Sequence, residues 1–347
     1  MAKRSDIKNA NIKDVAKYAG VSIATVSRVL GGKPHVRNEL KDRVYKAVQT
    51  LNYNPNRVAR SLRSQTSSVI GLIISDIQNS FFNPVVRAIE DIALENGYAV
   101  FLCNSDEDTE KELLYLNLLK SEKVAGVILT PARENANSCS NLIAAGIPVV
   151  AVDRRVPDIE VDTVLTNNIP ASQQLVNELI SRGHKRISAV LSDITITTGR
   201  ERFEGYKLAL AEAGIDFRQD LVRSGLPKEE DGYLSTLDLL EAKQKPSAIF
   251  TGNKLISLGA LRAIYEKKLK IPEDIAFASF DALDWMPNMP EIIFAEQPTY
   301  ALGEQAAKLL FDRIKDPKRK PKVHIIPSTI HTPQIDKKTR IAHKRGL

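Results

Sequence analysis

Ile12-Lys-Asp14-Val-Ala-Lys-Tyr-Ala-Gly20-Val-Ser22-Ile-Ala-Thr-Val-Ser-Arg28-Val-Leu30 is the stretch that decides how the N-terminal part of this chain folds. Ile12, Val15, Ala16 and Ala19 recur at helical spacing and make one apolar face, while Asn11 stands at the N-cap position with Asp14 three residues on. Gly20 permits a left-handed turn, and Ser22 then caps a second helix from Ile23 to Leu30. In that helix Val21, Val26 and Leu30 are expected to face inward, leaving Ile23, Ala24, Ser27 and Arg28 outward near its N-terminal half. The pattern is that of a helix-turn-helix, in which the second helix brings side chains to base edges in the major groove and its dipole to phosphate.

Gly31-Gly32-Lys33-Pro34 interrupts the pair, and a third helix from about Asn38 carries Leu40, Val44, Ala47, Val48 and Leu51 on one face. Three helices close a small core. Asn38 is the candidate cap of this helix, and Arg37 before it a candidate phosphate contact. Residues Asn56 to Ser64 are helical in composition but shorter than the ~12 residues an isolated helix needs, so a helix here is expected to be conditional. Charge follows the same boundary. The whole chain carries +7, yet residues 1–63 alone hold an excess of ten cations, which leaves the remainder slightly acidic. Only the first segment looks built for phosphates. The basic cluster from Lys337 to Arg345 reads as a solvated tail.

From Val69 onward apolar strands alternate with amphipathic helices. Strands are expected at Val69 to Ser75, Tyr98 to Asn104, Ala125 to Thr130, Pro148 to Val152, Arg186 to Leu191, Ala248 to Thr251 and Ile275 to Phe280. Helices are expected at Pro84 to Asn96, Leu113 to Glu122, Ala171 to Ser181, Phe203 to Ala213, Leu255 to Lys267 and Leu302 to Ile314. Near-continuous apolar strands separated by helices imply parallel sheets covered on both faces, here two doubly wound lobes. Ligands in such folds bind beyond the carboxyl ends of the strands, so the cleft between lobes is the expected site. The 347 residues exceed what one core usually supports.

The run Ile12 to Leu30, together with Leu51-Asn-Tyr-Asn-Pro-Asn-Arg-Val-Ala-Arg-Ser-Leu62, resembles the DNA-binding motif of the lactose and galactose repressor family. Similar segments continue along the chain: Asn79-Ser-Phe-Phe82, Arg182-Gly-His-Lys-Arg-Ile187, Arg202-Phe-Glu-Gly-Tyr-Lys-Leu-Ala-Leu210, Ile271-Pro-Glu-Asp-Ile275, Phe280-Asp281 and Gln297-Pro298. The resemblance implies an all-α helix-turn-helix headpiece and an α/β two-lobed core like that of periplasmic binding proteins. It divides the chain into a DNA-binding domain (1–54), a hinge helix and linker (55–67), a first lobe (68–166 with 299–327) and a second lobe (167–298 with 328–347).

Position by position, the resemblance assigns Ile23, Ala24 and Arg28 to base reading, and Ser22, Thr25 and Ser27 to backbone contact or support. His35 matches a loop position near DNA, and Asn56, Arg57, Ala59 and Leu62 belong to the hinge, with Leu62 as a minor-groove wedge. The chemistry suits: arginine pairs with guanine, small apolar groups meet thymine methyls, and a leucine wedge kinks a flexible step. Around the effector the matching positions are Phe82, Arg202, Asn253 and Asp281, to which we add Arg154, Lys254 and Trp285. Lys254 replaces an expected acidic residue, and the arginine usual near the last crossover strand is missing from Ser328-Thr-Ile-His-Thr-Pro333. If Arg202 and Lys254 both face the cleft with Arg154 or Arg155 near its rim and Asp281 as the one carboxylate, the effector is a sugar acid or a sugar phosphate. A neutral sugar, a nucleobase or a partner protein is the alternative.

Other function classes fit less well. A transport-type binding protein would explain the lobes but not the headpiece, and no apolar stretch follows Met1-Ala-Lys-Arg-Ser-Asp6 to suggest secretion, so a cytoplasmic location is expected. No apolar run approaches the ~18 residues of a membrane span. An enzyme would need a phosphate-cradling glycine loop, a His-Glu metal motif or a nucleophile elbow, and none is found. His184 and Asp193 stand isolated, and Cys103 and Cys139 read as small buried side chains, so no metal or cofactor is expected. One headpiece makes few base contacts, so a homodimer on a near-palindromic operator is expected.

Overall fold

A computed structural model describes residues 10–30, 36–53, 67–134, 139–156, 159–283, 289 and 291–332. The chain separates into two compact units, Met1–Thr66 and Ser67–Leu347. In the first, α1 (Ile12–Ala19), α2 (Ile23–Leu30) and α3 (Asn38–Thr50) bury Val15, Ala16, Ala19, Val26, Val29, Val44 and Ala47 in one cluster. Asn11 and Asp14 form a reciprocal capping box at the start of α1. Gly20 ends it at φ 58, and Arg43 of α3 donates to its carbonyl oxygen at 3.1 Å. A β-carbon at Gly20 would meet that guanidinium as well as a left-handed backbone, so two constraints select glycine here.

Three expectations change in this unit. Val29 rather than Leu30 is the buried partner of Val26, and Ile23, expected outside, is half-buried against the same cluster. The physical reason is the short α2, whose first turn must cover the gap between α1 and α3. Asn38 is not the cap of α3: Arg37 holds that position with no side-chain hydrogen bond to the helix.

The second unit begins with β1 (Val69–Ile74), α4 (Phe82–Glu95), β2 (Ala99–Asn104), α5 (Thr109–Ser121), β3 (Val127–Leu129), α6 (Ser140–Ala144), β4 (Val149–Val152) and β5 (Asp162–Thr166). The chain then enters a second lobe with α7 (Asn168–Ser181), β6 (Ile187–Ser192), α8 (Thr197–Glu212), β7 (Val222–Gly225), α9 (Glu229–Glu241), β8 (Ala248–Thr251), α10 (Lys254–Glu266), β9 (Ala276–Phe280) and β10 (Ile293–Glu296). It returns for α11 (Thr299–Lys315) and β11 (Val323–Ile326) before β12 (Thr329–His331) joins the second sheet. The sheet orders are β11-β5-β4-β3-β1-β2 and β12-β10-β9-β8-β6-β7. Every neighbouring pair is parallel except β12, which runs antiparallel to β10 and pairs Phe294 with His331.

The expected strands and the long helices are all present, most of them shifted by a few residues. Strands β5, β7, β10, β11 and β12 and helices α6 and α9 were not foreseen. These strands have three to five residues each and lack a long apolar run. Asp162 opens β5 although fully buried, because Arg313 and Arg319 both reach its carboxylate, at 2.9 and 2.7 Å. Those two arginines tie the end of α11 and the segment before β11 to the sheet, so the final crossover is anchored by a buried charge cluster.

Each sheet is covered twice. Helices α4 and α11 pack on one face of the first sheet around Ile70, Leu72, Val85, Ile89, Ala306 and Leu310, and α5 covers the other face with Leu116 and Leu119. In the second lobe α7 and α8 meet one face through Leu175, Leu179 and Tyr206, while α9 and α10 meet the other through Leu239, Ile256 and Ala260. The chain passes between the lobes three times, and the first and third passages are stitched together where Ser328 N donates to Asn167 Oδ1 at 2.8 Å and the Thr166 and Ser328 hydroxyls meet at 2.8 Å. Among the described residues no helix is long and apolar enough to cross a membrane.

Candidate functional site

In both lobes the residues that follow the parallel strands point into one cleft. Asp76 follows β1, Glu107 follows β2, Asp153 and Arg154 follow β4, Asn253 follows β8, Asp281 follows β9 and Gln297 follows β10. Phe81 and Phe82 at the start of α4 and Thr198 and Arg202 of α8 complete a pocket of about 390 Å³, its mouth included. The phenyl rings meet edge to face at 5.0 Å between centroids and give the pocket one apolar wall. Asp153 and Asp281 both sit at positive φ, 69° and 85°, which places their carboxylates at the turn out of each strand at a cost of roughly 1 kcal/mol apiece.

Each charged side chain is held in place by the fold. Arg202 donates from Nε to Asn168 Oδ1 at 2.9 Å and from one terminal nitrogen to the Gly252 carbonyl at 2.6 Å, and it lies 3.7 Å over the Phe280 ring. No described hydrogen bond uses its other terminal nitrogen. Arg154 gives both terminal nitrogens to the Glu107 carboxylate, at 2.6 and 2.7 Å, and one of them to the Pro131 carbonyl at 2.9 Å. Its Nε is buried without a hydrogen-bond partner, 3.9 Å from Asp153. Gln297 donates to Asp281 Oδ1 at 2.5 Å, which leaves its own carbonyl oxygen buried and unsatisfied. Asn253 caps α10 by accepting from Ile256 N at 2.8 Å, so its amide nitrogen is the group left for the cleft.

The pocket is richer in acid than in base. Asp76, Glu107, Asp153 and Asp281 line it, against Arg154 and Arg202. Burial pushes the Asp153 carboxyl up to about 6 despite the two guanidiniums, and the nearby Asp281 and Glu107 carboxylates push the same way. Behind the wall Glu112 of α5 accepts from Ala132 N at 2.6 Å, and burial drives it up to about 7. Buried orphan donors and acceptors beside an apolar wall suit a small polyhydroxylated ligand, whose hydroxyls can donate to carboxylates and accept from arginine.

This arrangement corrects the expected charge of the cleft. Lys254 begins α10 and does not line the pocket, so the positive surplus built on it is not there. Arg154 is not a rim residue but is buried inside. Phe82, Arg202, Asn253 and Asp281 do line the pocket, whereas Trp285 lies outside the described residues. Sequence reading missed Asp76, Glu107, Asp153 and Gln297. A signal existed for Asp153, which immediately follows the apolar strand β4, and a weaker one for Asp76 and Glu107, which come two and three residues after β1 and β2. Asp193, read as isolated, pairs across the lobes with Arg133 at 2.9 Å.

On α2, Ala24, Ser27 and Arg28 are exposed on one surface, with Ile23 and Thr25 half-buried beneath it. Ser22 Oγ accepts from Thr25 N at 3.1 Å and meets the Thr25 hydroxyl at 2.9 Å, so both residues stabilise the start of the helix. His35, Asn56, Arg57, Ala59 and Leu62 lie outside the described residues.

Residues 11–56 match the family model described as bacterial regulatory proteins, lacI family, and residues 67–336 match periplasmic binding proteins and sugar binding domain of the LacI family. The chain is 34% identical over 314 residues to the transcriptional repressor PurR of Mannheimia succiniciproducens, covering 89% of this chain and 94% of that one. It is 37% identical over 306 residues to the ribose operon repressor of Halalkalibacterium halodurans, covering 88% and 90%. Among solved structures it resembles the Lac repressor bound to ONPG (TM-score 0.80, 25% identity, covering 93% of this chain and 98% of that one). A complex of the regulator CelR with cellobiose is also similar (TM-score 0.70, 27% identity, 93% and 98%).

Proposed function

Because this chain belongs to the LacI family of bacterial regulatory proteins, we propose that it is a cytoplasmic homodimeric repressor whose grip on a near-palindromic operator is controlled by a neutral sugar bound between its lobes. DNA-binding transcriptional repression is the family's function; the effector class is read from the pocket. The observation that carries it is the charge balance: four lining carboxylates against two arginines. A sugar acid or sugar phosphate would bring a further negative charge into a buried site already in excess of acid, whereas a neutral sugar meets hydrogen-bonding partners and the Phe81 and Phe82 wall. The ribose operon repressor among the relatives makes an aldopentose the first ligand to try.

The proposed DNA surface is Ala24, Ser27 and Arg28 with Ile23 and Thr25, the hinge being assigned by resemblance. The proposed pairing with a second copy has apolar surface to use: α5 exposes Leu114 and Leu118, and β2 at the sheet edge exposes Phe101 and Leu102. Thermal-shift measurement against D-ribose, other neutral aldoses, gluconate and ribose 5-phosphate tests the effector class. Stabilisation by a neutral sugar alone is the expected result; stabilisation by the anionic compounds alone would replace this reading with the anionic one.

A further inference from the structure

Lys228 stands between β7 and the first turn of α9, beside Pro227 of the pocket wall, in the second lobe. Its ammonium group reaches the first lobe, where it meets Asp76 Oδ2 at 2.8 Å and Asp106 Oδ1 at 2.7 Å. The two acceptors differ in kind. Asp76 lines the pocket with its side chain 2% exposed, whereas Asp106 is half-exposed at the end of β2. Asp76 Oδ1 already accepts from Gln78 N at 2.9 Å, so the lysine supplies the partner for the other oxygen.

We propose that Lys228 is a positioning residue of the effector site: by bridging Asp76 and Asp106 it draws the pocket walls of the two lobes together and neutralises a carboxylate that faces the ligand. The inference rests on the cleft being the effector site, but not on which sugar fills it. A buried carboxylate left alone is costly, so Asp76 favours whichever lobe arrangement brings an ammonium to it. Closing the cleft supplies that ammonium, and opening it returns Asp76 to water. The other interlobe ion pairs among the described residues, Arg133 with Asp193 at 2.9 Å, Arg155 with Glu201 at 3.6 Å and Arg200 with Glu134 at 3.0 Å, involve no pocket-lining side chain, so Lys228 alone among them joins lobe closure to the charge the ligand meets. With Lys228 counted, the carboxylate excess in the pocket falls from two to one.

The test reads lobe separation and ligand affinity independently. Spin labels at Glu122 and Glu212, both exposed and one on each lobe, report the interlobe distance distribution of the full-length protein by pulsed electron resonance. In ligand-free protein, Lys228→Met is expected to shift this distribution to longer distances, Lys228→Arg to preserve it, and high salt to move wild type toward the methionine variant. Titration with D-ribose as the probe is expected to give about tenfold weaker binding for Lys228→Met, with near wild-type affinity for Lys228→Arg. Asp106→Asn should weaken binding several-fold in wild type and have no further effect in Lys228→Met, the coupling that a bridge requires. An unchanged distance distribution in Lys228→Met would overturn the proposal, as would additive effects of Lys228→Met and Asp106→Asn. If D-ribose fails to bind wild type while the distances respond to Lys228 as described, the pentose reading fails and the role of Lys228 stands.

Discussion

Arg154 and Glu107 face each other inside the pocket as a two-bond pair, 2.6 and 2.7 Å, with both side chains nearly excluded from solvent. Such a pair adds little net stability when intact, but removing one partner strands the other charge. Glu107→Ala is therefore expected to destabilise the core by about 3–5 kcal/mol, and the Glu107→Gln, Arg154→Met double variant by less than that single change. Urea denaturation of the two proteins checks the ranking. A double variant less stable than Glu107→Ala would show that the pair is held for strength rather than placement.

Glu112 gives the core a pH dependence with a defined sign. Burial first, then the neighbouring Glu107 carboxylate, raise it from 4.5 to about 7, against the opposing Ala132 N–H bond and Arg154 charge. The unfolded chain releases this proton near 4.5 and the folded chain holds it to about 7, so its contribution to stability falls as pH rises through that window and is constant above it. Glu112→Gln keeps an acceptor for Ala132 N and removes the titration. The variant should gain on wild type by about 1–3 kcal/mol between pH 4.5 and pH 8. Comparing urea midpoints at both ends of that range tests this; a difference independent of pH would contradict it.

The packing of α9 against α10 depends on Gly259. A β-carbon there would collide with the Glu229 carbonyl and come within 2.6 Å of Tyr233 N, and backbone cannot rotate away as a side chain can. Gly259→Ala should cost roughly 1–3 kcal/mol through overpacking, although alanine favours the helix itself. Thermal unfolding of the variant reports the sign, and a stabilised protein would mean that the two helices separate easily.

Much of this was legible in the sequence, and the failures have physical causes. The capping box at Asn11 and Asp14 and the turn at Gly20 are local, so residue types alone announce them. Strands β1, β6 and β8 are legible because burial on both faces demands unbroken apolar residues. Asp162 hides β5, since only the fold brings Arg313 and Arg319 to a carboxylate some 150 residues away in sequence. In the pocket Phe82, Arg202, Asn253 and Asp281 were found by resemblance. Lys254, expected at the cleft from its adjacency to Asn253, opens α10 and is not among the residues that line the pocket. The acids Asp76 and Glu107 follow different strands, and their convergence is a property of the sheet order β3-β1-β2.

For the headpiece, Arg28 is the exposed arginine of α2 and the proposed base reader. Arg28→Ala is expected to weaken operator binding by ~1–3 kcal/mol while leaving random DNA nearly unaffected. Anisotropy titrations on operator and random duplexes at one salt concentration separate the two. Equal losses on both would assign Arg28 to phosphate contact.

The most direct test joins both ends of the molecule: the affinity of full-length protein for an operator selected from random duplexes, measured with and without each sugar, for wild type and Asp281→Asn. A change of operator affinity caused by a neutral sugar, absent with gluconate and ribose 5-phosphate and lost in Asp281→Asn, is the result expected from a neutral ligand held at the strand ends. A response to the anionic sugars alone, undiminished in Asp281→Asn, would contradict it.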